Sequence, residues 1–172
     1  MTDDATQALR ATAHPVRLQI LSLLTGAQMS AAEVARELDL THANASYHLR
    51  LLLDAGQLVV ASEERIRGGV AKRYRHPWEQ TPGSTGAASS PEQRLAWTRA
   101  MAAELVRRVE HASGRPGHFT DAELWVTEED LAAVTAALEE ASIRLHASAR
   151  PPRTEGTVRV AMSAALFEMT SA

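Results

Sequence analysis

From Pro15 onward apolar residues recur at helical spacing, Val16, Ile20, Leu23 and Leu24, until Gly26 breaks the run. Pro15 suits a first helical turn, where its missing N–H costs nothing, so the pattern predicts a core helix. Ser30-Ala-Ala-Glu33 has the capping-box form, in which hydroxyl and carboxylate satisfy each other's free backbone donors, and Val34, Ala35 and Leu38 give the next short helix its apolar side. Leu40 ends a tight turn and Thr41 can cap a further helix, with Ala45, Leu49, Leu52 and Leu53 in one stripe before Gly56. After Gly56 the period changes. Residues 58–61 and 70–75 read as two strands, joined by a charged loop over 62–69 with Gly68 and Gly69 at its tip.

Between Gln80 and Ser90 small and turn-forming residues replace any apolar period, which predicts a linker over 80–90 between an N-terminal domain, 1–79, and a C-terminal domain, 91–172. Turn residues also cluster at Gly114, Pro116 and Gly117, and at Pro151 and Pro152. Ser90-Pro-Glu-Gln93 starts a long helix in which Trp97, Met101, Leu105 and Val109 repeat every four residues. A short strand is expected at 123–126. A helix follows from Thr127, with Leu131, Val134, Leu138, Ala141 and Leu145 on one side, and alternation of Val158, Val160, Met162, Ala164 and Leu166 predicts a closing strand or strand pair within 156–170. The fold class expected is α+β, mainly helical: a winged helix-turn-helix domain followed by a smaller helix-strand-helix-strand domain.

Four segments carry a family resemblance: residues 13–24, beginning Ala13-His-Pro-Val-Arg17; residues 30–38; residues 41–53 with the Asp54-Ala-Gly56 ending; and the hairpin closing in Arg73-Tyr-Arg75. In order and spacing, over roughly residues 8–77, they resemble the ArsR-like winged-helix repressors and their relatives without metal sites. The resemblance implies binding of double-stranded DNA and pairing of subunits through helices outside the reading motif.

The chemistry of the reading helix follows from its geometry. With Ala45, Leu49, Leu52 and Leu53 turned to the core, a rotation of about 100° per residue sets Ala43, Tyr47, Arg50 and Asp54 on the far side. His42 and Ser46 project at the leading end. A helix entering the major groove reads bases mainly with its N-terminal residues, so His42, Ala43, Ser46 and Tyr47 are the candidates near base edges, Asn44 and Arg50 those for phosphates, and Thr41 completes the expected DNA-binding set. Any of these side chains could instead solvate an exposed helix. His48 lies on the flank of the stripe, where hydrogen-bonded packing is the expected role.

Charge sharpens this picture. The chain of 172 residues carries −3 overall, yet residues 41–76 hold six basic side chains, Arg50, Arg65, Arg67, Lys72, Arg73 and Arg75, against Asp54, Glu63 and Glu64. That local excess of three leaves a net −6 on the remainder, an asymmetry suited to one phosphate-facing surface. Arg65, Arg67, Lys72, Arg73 and Arg75 surround the glycine tip and are expected to contact phosphate or the minor groove. The alternative use of a basic hairpin is protection of a sheet edge.

Trp97, Met101, Leu105 and Val109 are the expected homodimer surface. With no cysteine, thiol nucleophiles and thiolate metal sites are excluded, and His111, His118 and His146 lack the spacing of two ligands on one helix face, so no metal and no cofactor is expected. Trp78, Trp97 and Trp125 leave room for a small-molecule effector of unidentified chemistry, although three tryptophans in such a chain are more often core. No glycine-rich phosphate loop or nucleophile elbow is present, which argues against an enzyme. Asp3 and Asp4 stand where a signal peptide needs positive charge, and no apolar run approaches the ~20 residues of a membrane span, so no membrane partner and a cytoplasmic location are expected. The rival reading is a winged helix that docks protein or acts architecturally, without reading sequence.

Overall fold

The computed structural model describes residues 11–66, 69–80, 90–115 and 117–169. Arg67 and Gly68 of the wing tip, Pro116, and residues 81–89 of the expected linker lie outside them.

Helix α1, Pro15–Thr25, starts at His14, whose ring Nδ1 accepts from the Val16 N–H at 3.2 Å, an imidazole in the place of the usual capping hydroxyl. It buries Ile20, Leu21 and Leu24. Strand β1, Met29–Ser30, leads directly into α2, Ala31–Glu37, and the capping box forms as the sequence predicts: the Ser30 N–H donates to Glu33 Oε2 at 2.7 Å and the Glu33 N–H to Ser30 Oγ at 3.4 Å. The tight turn after α2 places Asp39 in the left-handed region at φ 53°, which aspartate tolerates better than most residues, and the Leu40 N–H returns to the Ala35 carbonyl at 2.8 Å. Helix α3, His42–Asp54, follows, capped by Thr41 Oγ1 on the Asn44 N–H.

Ile20, Leu24, Val34, Ala45, Leu49, Leu52 and Leu58 from these elements form one buried cluster, against which Met29, Leu40 and Tyr74 lean. Strands β2, Val59–Ile66, and β3, Gly69–Arg75, make the wing, and among the described residues the sheet is three-stranded and antiparallel in the order β1-β3-β2. Two features differ from expectation. Residues 62–66, read as loop, continue β2 past a bulge between Val60 and Ser62, because backbone pairing with β3 persists although the side chains of residues 62–65 are exposed. Strand β1 is two residues long, too short to leave a periodic signature.

Helix α4, Pro91–Glu110, opens on the expected Ser90/Gln93 capping box and docks on α1 through Ala100 and Glu104. Glu104 is 1% exposed; it accepts from Gln19 Nε2 at 2.6 Å and from Arg107 Nε and Nη2, and Arg108 Nε lies 3.7 Å away. Burial pushes its carboxyl up, but the hydrogen bonds from Arg107 and Gln19 and the charges of Arg107 and Arg108 hold it below the usual carboxylate range. Helix α5, Glu128–Ala147, is capped by Thr127 on the Asp130 N–H and has no buried residue.

The expected strands at 123–126 and within 156–170 do not form among the described residues: neither segment joins a ladder, and no neighbouring strand reaches them. After α5 the chain folds back on the N-terminal half. A Cβ at Gly26 would lie 2.7 Å from the Arg150 carbonyl oxygen, Arg153 Nη1 meets Glu37 Oε1 at 2.6 Å, and the Trp78 and His146 rings stand 5.5 Å apart. The molecule is α+β and mainly helical, and helix, helix, turn, helix and hairpin in that order make its N-terminal half a winged helix-turn-helix.

Candidate nucleic-acid interface

Helix α3 divides as its sequence requires. Ala45, Leu49 and Leu52 are buried, whereas His42, Ala43, Asn44, Tyr47 and Arg50 are exposed and Ser46 is half-buried. Thr41 is exposed too, but its hydroxyl oxygen is occupied in capping. Thr41 takes the Asn44 N–H, and the helix N-terminus beside His42 and Ala43 carries a partial positive charge suited to phosphate. Tyr47 is 53% exposed, large for an aromatic ring in a helix that packs so closely on its other side.

Behind this surface lies a group that the pattern of the sequence does not reveal. The His48 ring is 4.9 Å from that of His14 and edge-on to Tyr47 at 5.3 Å. His48 is only 5% exposed and, against expectation, its Nδ1 has no hydrogen-bond partner among the described residues. Burial first, then the charge of Arg17, lowers the pKa of His14; burial, then His14 and Arg17, lowers that of His48. Both shifts favour the neutral imidazole on the inner side of the reading helix. The clue available in the sequence was His14-Pro-Val-Arg17, legible as a helix start but not as a neighbour of residues thirty positions further on.

In the wing, directly paired residues share a face: Glu63 with Lys72 and Arg65 with Val70 on one side, Ser62 with Arg73 and Glu64 with Ala71 on the other. The expected basic set separates accordingly. Arg65 and Lys72 are exposed, Lys72 with Glu63 4.0 Å away. Arg73 is a clamp: its guanidinium donates to the Gln28 carbonyl at 2.7 Å, meets Glu33 at 3.1 Å and lies 3.7 Å from Glu64, which ties β3 to the capping box of α2. The Glu33 carboxyl is accordingly lowered, most by the Ser30 backbone N–H and with further help from the Ser30 hydroxyl and Arg73. Arg75 pairs with Glu79 at 2.9 Å.

Residues 12–60 match the family model of a helix-turn-helix domain. The span takes in α1, α2, α3 and the start of β2, the part of the chain that seats the exposed helix. It supports a DNA-binding transcription regulator of the helix-turn-helix kind. Among curated proteins, none matches the chain.

Outside the helix-turn-helix, Trp97 and Met101 are half-buried on α4, whereas Leu105 and Val109 stay 44% and 47% exposed, so the expected dimer row is largely uncovered. Trp125 is 91% exposed, while Trp78 rests on His146. His111 bonds the Arg107 carbonyl and His146 the Ser142 carbonyl, each at 2.7 Å, and His118 is exposed. Among the described residues no three histidine, aspartate or glutamate side chains gather as a metal site, and no helix is long and apolar enough to cross a membrane.

Proposed function

We propose that the protein is a sequence-specific regulator of transcription, a repressor related to the ArsR-like proteins but without their metal sites, acting as a homodimer on an inverted-repeat operator. The observation that carries this reading is the division of α3: a leucine face locked in the core and a polar leading end in solvent. His42, Ala43, Ser46 and Tyr47 read base edges, and Asn44, Arg50, Arg65, Arg67 and Lys72 bind phosphate. Arg73 and Arg75 reach phosphate only by releasing Glu33 and Glu79, and otherwise fix the wing's position. One winged helix reads few base pairs, so a twofold pair supplies specificity, with reading helices about 34 Å apart in successive major grooves. The α4 row of Trp97, Met101, Leu105 and Val109 is the surface that pairs.

The engagement of Arg73 and Arg75 favours a second reading, a winged helix that docks protein or acts architecturally. Selection of bound fragments from random duplexes decides between them. An inverted repeat with half-sites about one helical turn apart supports the regulator; duplexes without any shared sequence, or no bound duplexes, leave the second reading.

A further inference from the structure

Residues 117–169 form a segment in neither helix nor strand, α5 and a second such segment, and none of their side chains is buried. Among the described residues, the backbone of 118–126 and of 158–169 makes no backbone–backbone hydrogen bond. Both segments nevertheless alternate as sheet strands do. Ala122, Leu124 and Val126 share one phase, as do Val158, Val160, Met162, Ala164 and Leu166, and α5 carries an apolar stripe with no buried residue. Two strands and one helix are too little to hold a sheet in water, where three or more strands or a covering helix are needed. Doubling the unit supplies what is missing: four strands and two helices make two layers with a core between them.

Two observations identify a second copy of this chain as what completes the sheet. The first is position. Arg108 on α4 donates to the Met162 carbonyl at 3.4 Å and lies 3.1 Å from Ser163 Oγ, and residues 163–165 line, with Met101 and Leu105, a hollow of about 180 Å³ along α4. The second segment thus lies beside the row assigned above to pairing. The second observation is charge. Arg159 sits by Arg108, whose pKa is lowered by burial first and further by Arg107 and Arg159, against the pull of Glu104. Asp121 and Glu123, on the polar phase of the first segment, form no ion pair among the described residues. Laid side by side, the two segments set the acidic pair against Arg159.

We propose that residues 120–124 of one copy pair antiparallel with residues 158–162 of another, Glu123 opposite Arg159, the two 158–166 strands meeting at the twofold axis, so that an exchanged four-stranded sheet roofed by two α5 helices joins the subunits. This rests on the homodimer reading and says how its C-terminal halves interlock. Each α5 stripe of Leu131, Val134, Leu138 and Leu145 then lies on the apolar phase of the sheet.

The chain has no cysteine, so single introduced thiols are unambiguous. Full-length Glu123→Cys and Arg159→Cys are prepared separately, unfolded together, refolded and treated with a bismaleimide short enough to bridge adjacent strands, about 5 Å apart. The expected product is a cross-linked pair containing one chain of each kind. No mixed product, or a doubly substituted chain cross-linked only within itself, overturns the exchange. Sedimentation of the unsubstituted protein separates the two readings: a dimer without mixed cross-links leaves pairing through α4 and removes the exchange, whereas a monomer at micromolar concentration removes both. As a control on folding, Val160→Lys with Leu166→Lys is expected to weaken the dimer at least tenfold while the N-terminal half keeps its helical signal. A dimer of unchanged affinity in that variant also overturns the proposal.

Discussion

Gln19 on α1 and Glu104 on α4 meet at 2.6 Å, and through this contact a buried carboxylate shared with Arg107 and Arg108 holds the long C-terminal helix on the first helix of the reading domain. Glu104→Ala leaves Arg107 and Arg108 without their anion and Gln19 without its acceptor. A loss of about 3 to 5 kcal/mol in urea unfolding is expected, against about 1.5 to 3 kcal/mol for Gln19→Ala, which removes one hydrogen bond to a charged group. Equal, small losses would show that α4 is held by its apolar contacts instead.

The wing arginines should separate by kind. Arg65→Ala removes an exposed cation, so melting stays unchanged while the slope of log affinity against log salt falls by roughly 0.9. Arg73→Ala unties β3 from Glu33 and the Gln28 carbonyl. It should lower the melting temperature and weaken DNA binding with little change in salt slope. If both variants behave alike, the division of the wing into a clamp and a contact is wrong.

Tyr47 is the largest exposed side chain in the leading half of α3. Tyr47→Ala is expected to change the preference at one operator position by about 1 to 3 kcal/mol, measured by competition among single-base variants. Uniform weakening with unchanged ranking would move Tyr47 to the phosphate-contacting group.

Acid should loosen the seam between the two halves. His76 bonds Thr25 Oγ1 through Nδ1 at 3.2 Å, and its pKa is lowered to about 4, by burial first and then by His146, with Arg75 acting in the same direction and Glu79 opposing. The folded protein therefore binds this proton less readily than the unfolded chain, whose histidines titrate near 6.5. Stability is unaffected above that pH and falls as pH drops from about 6.5 towards 4, by at most about 1.4 kcal/mol per unit from this group. His14 and His48, also lowered, add in the same sense. Melting across this window, compared between the unsubstituted protein and His76→Gln, should give a shallower acid loss in the variant; parallel curves would clear His76 of the effect.

What could be read from the sequence was whatever is decided within a few residues. The Ser30/Glu33 and Ser90/Gln93 boxes, the Thr41 cap and the α3 stripe are local, and each stands where the pattern puts it. The extension of β2 through Glu63, Glu64 and Arg65 was not legible, since pairing to β3 sustains it and no burial marks it. For the candidate site, the exposed residues of α3 were legible from the leucine period, but the partners of Arg73, Arg75 and His48 come from other elements. Alternation in 158–166 predicted a strand that forms no ladder among the described residues, because a period says which face is apolar and not where the neighbouring strand is.

The close approach at Gly26 bears on how such proteins can be recombined. Because the Arg150 carbonyl occupies the space any larger residue there would need, the end of α1 and the turn after α5 form a matched pair. Together with Gln19–Glu104 and Glu37–Arg153, this makes residues 12–60 a poor cassette: transplanted alone onto another regulator's C-terminal half, they would carry three unfilled sockets. A working chimera has to bring along residues 100–108 and 146–153, and a reading head grafted from elsewhere needs a small residue at the position of Gly26.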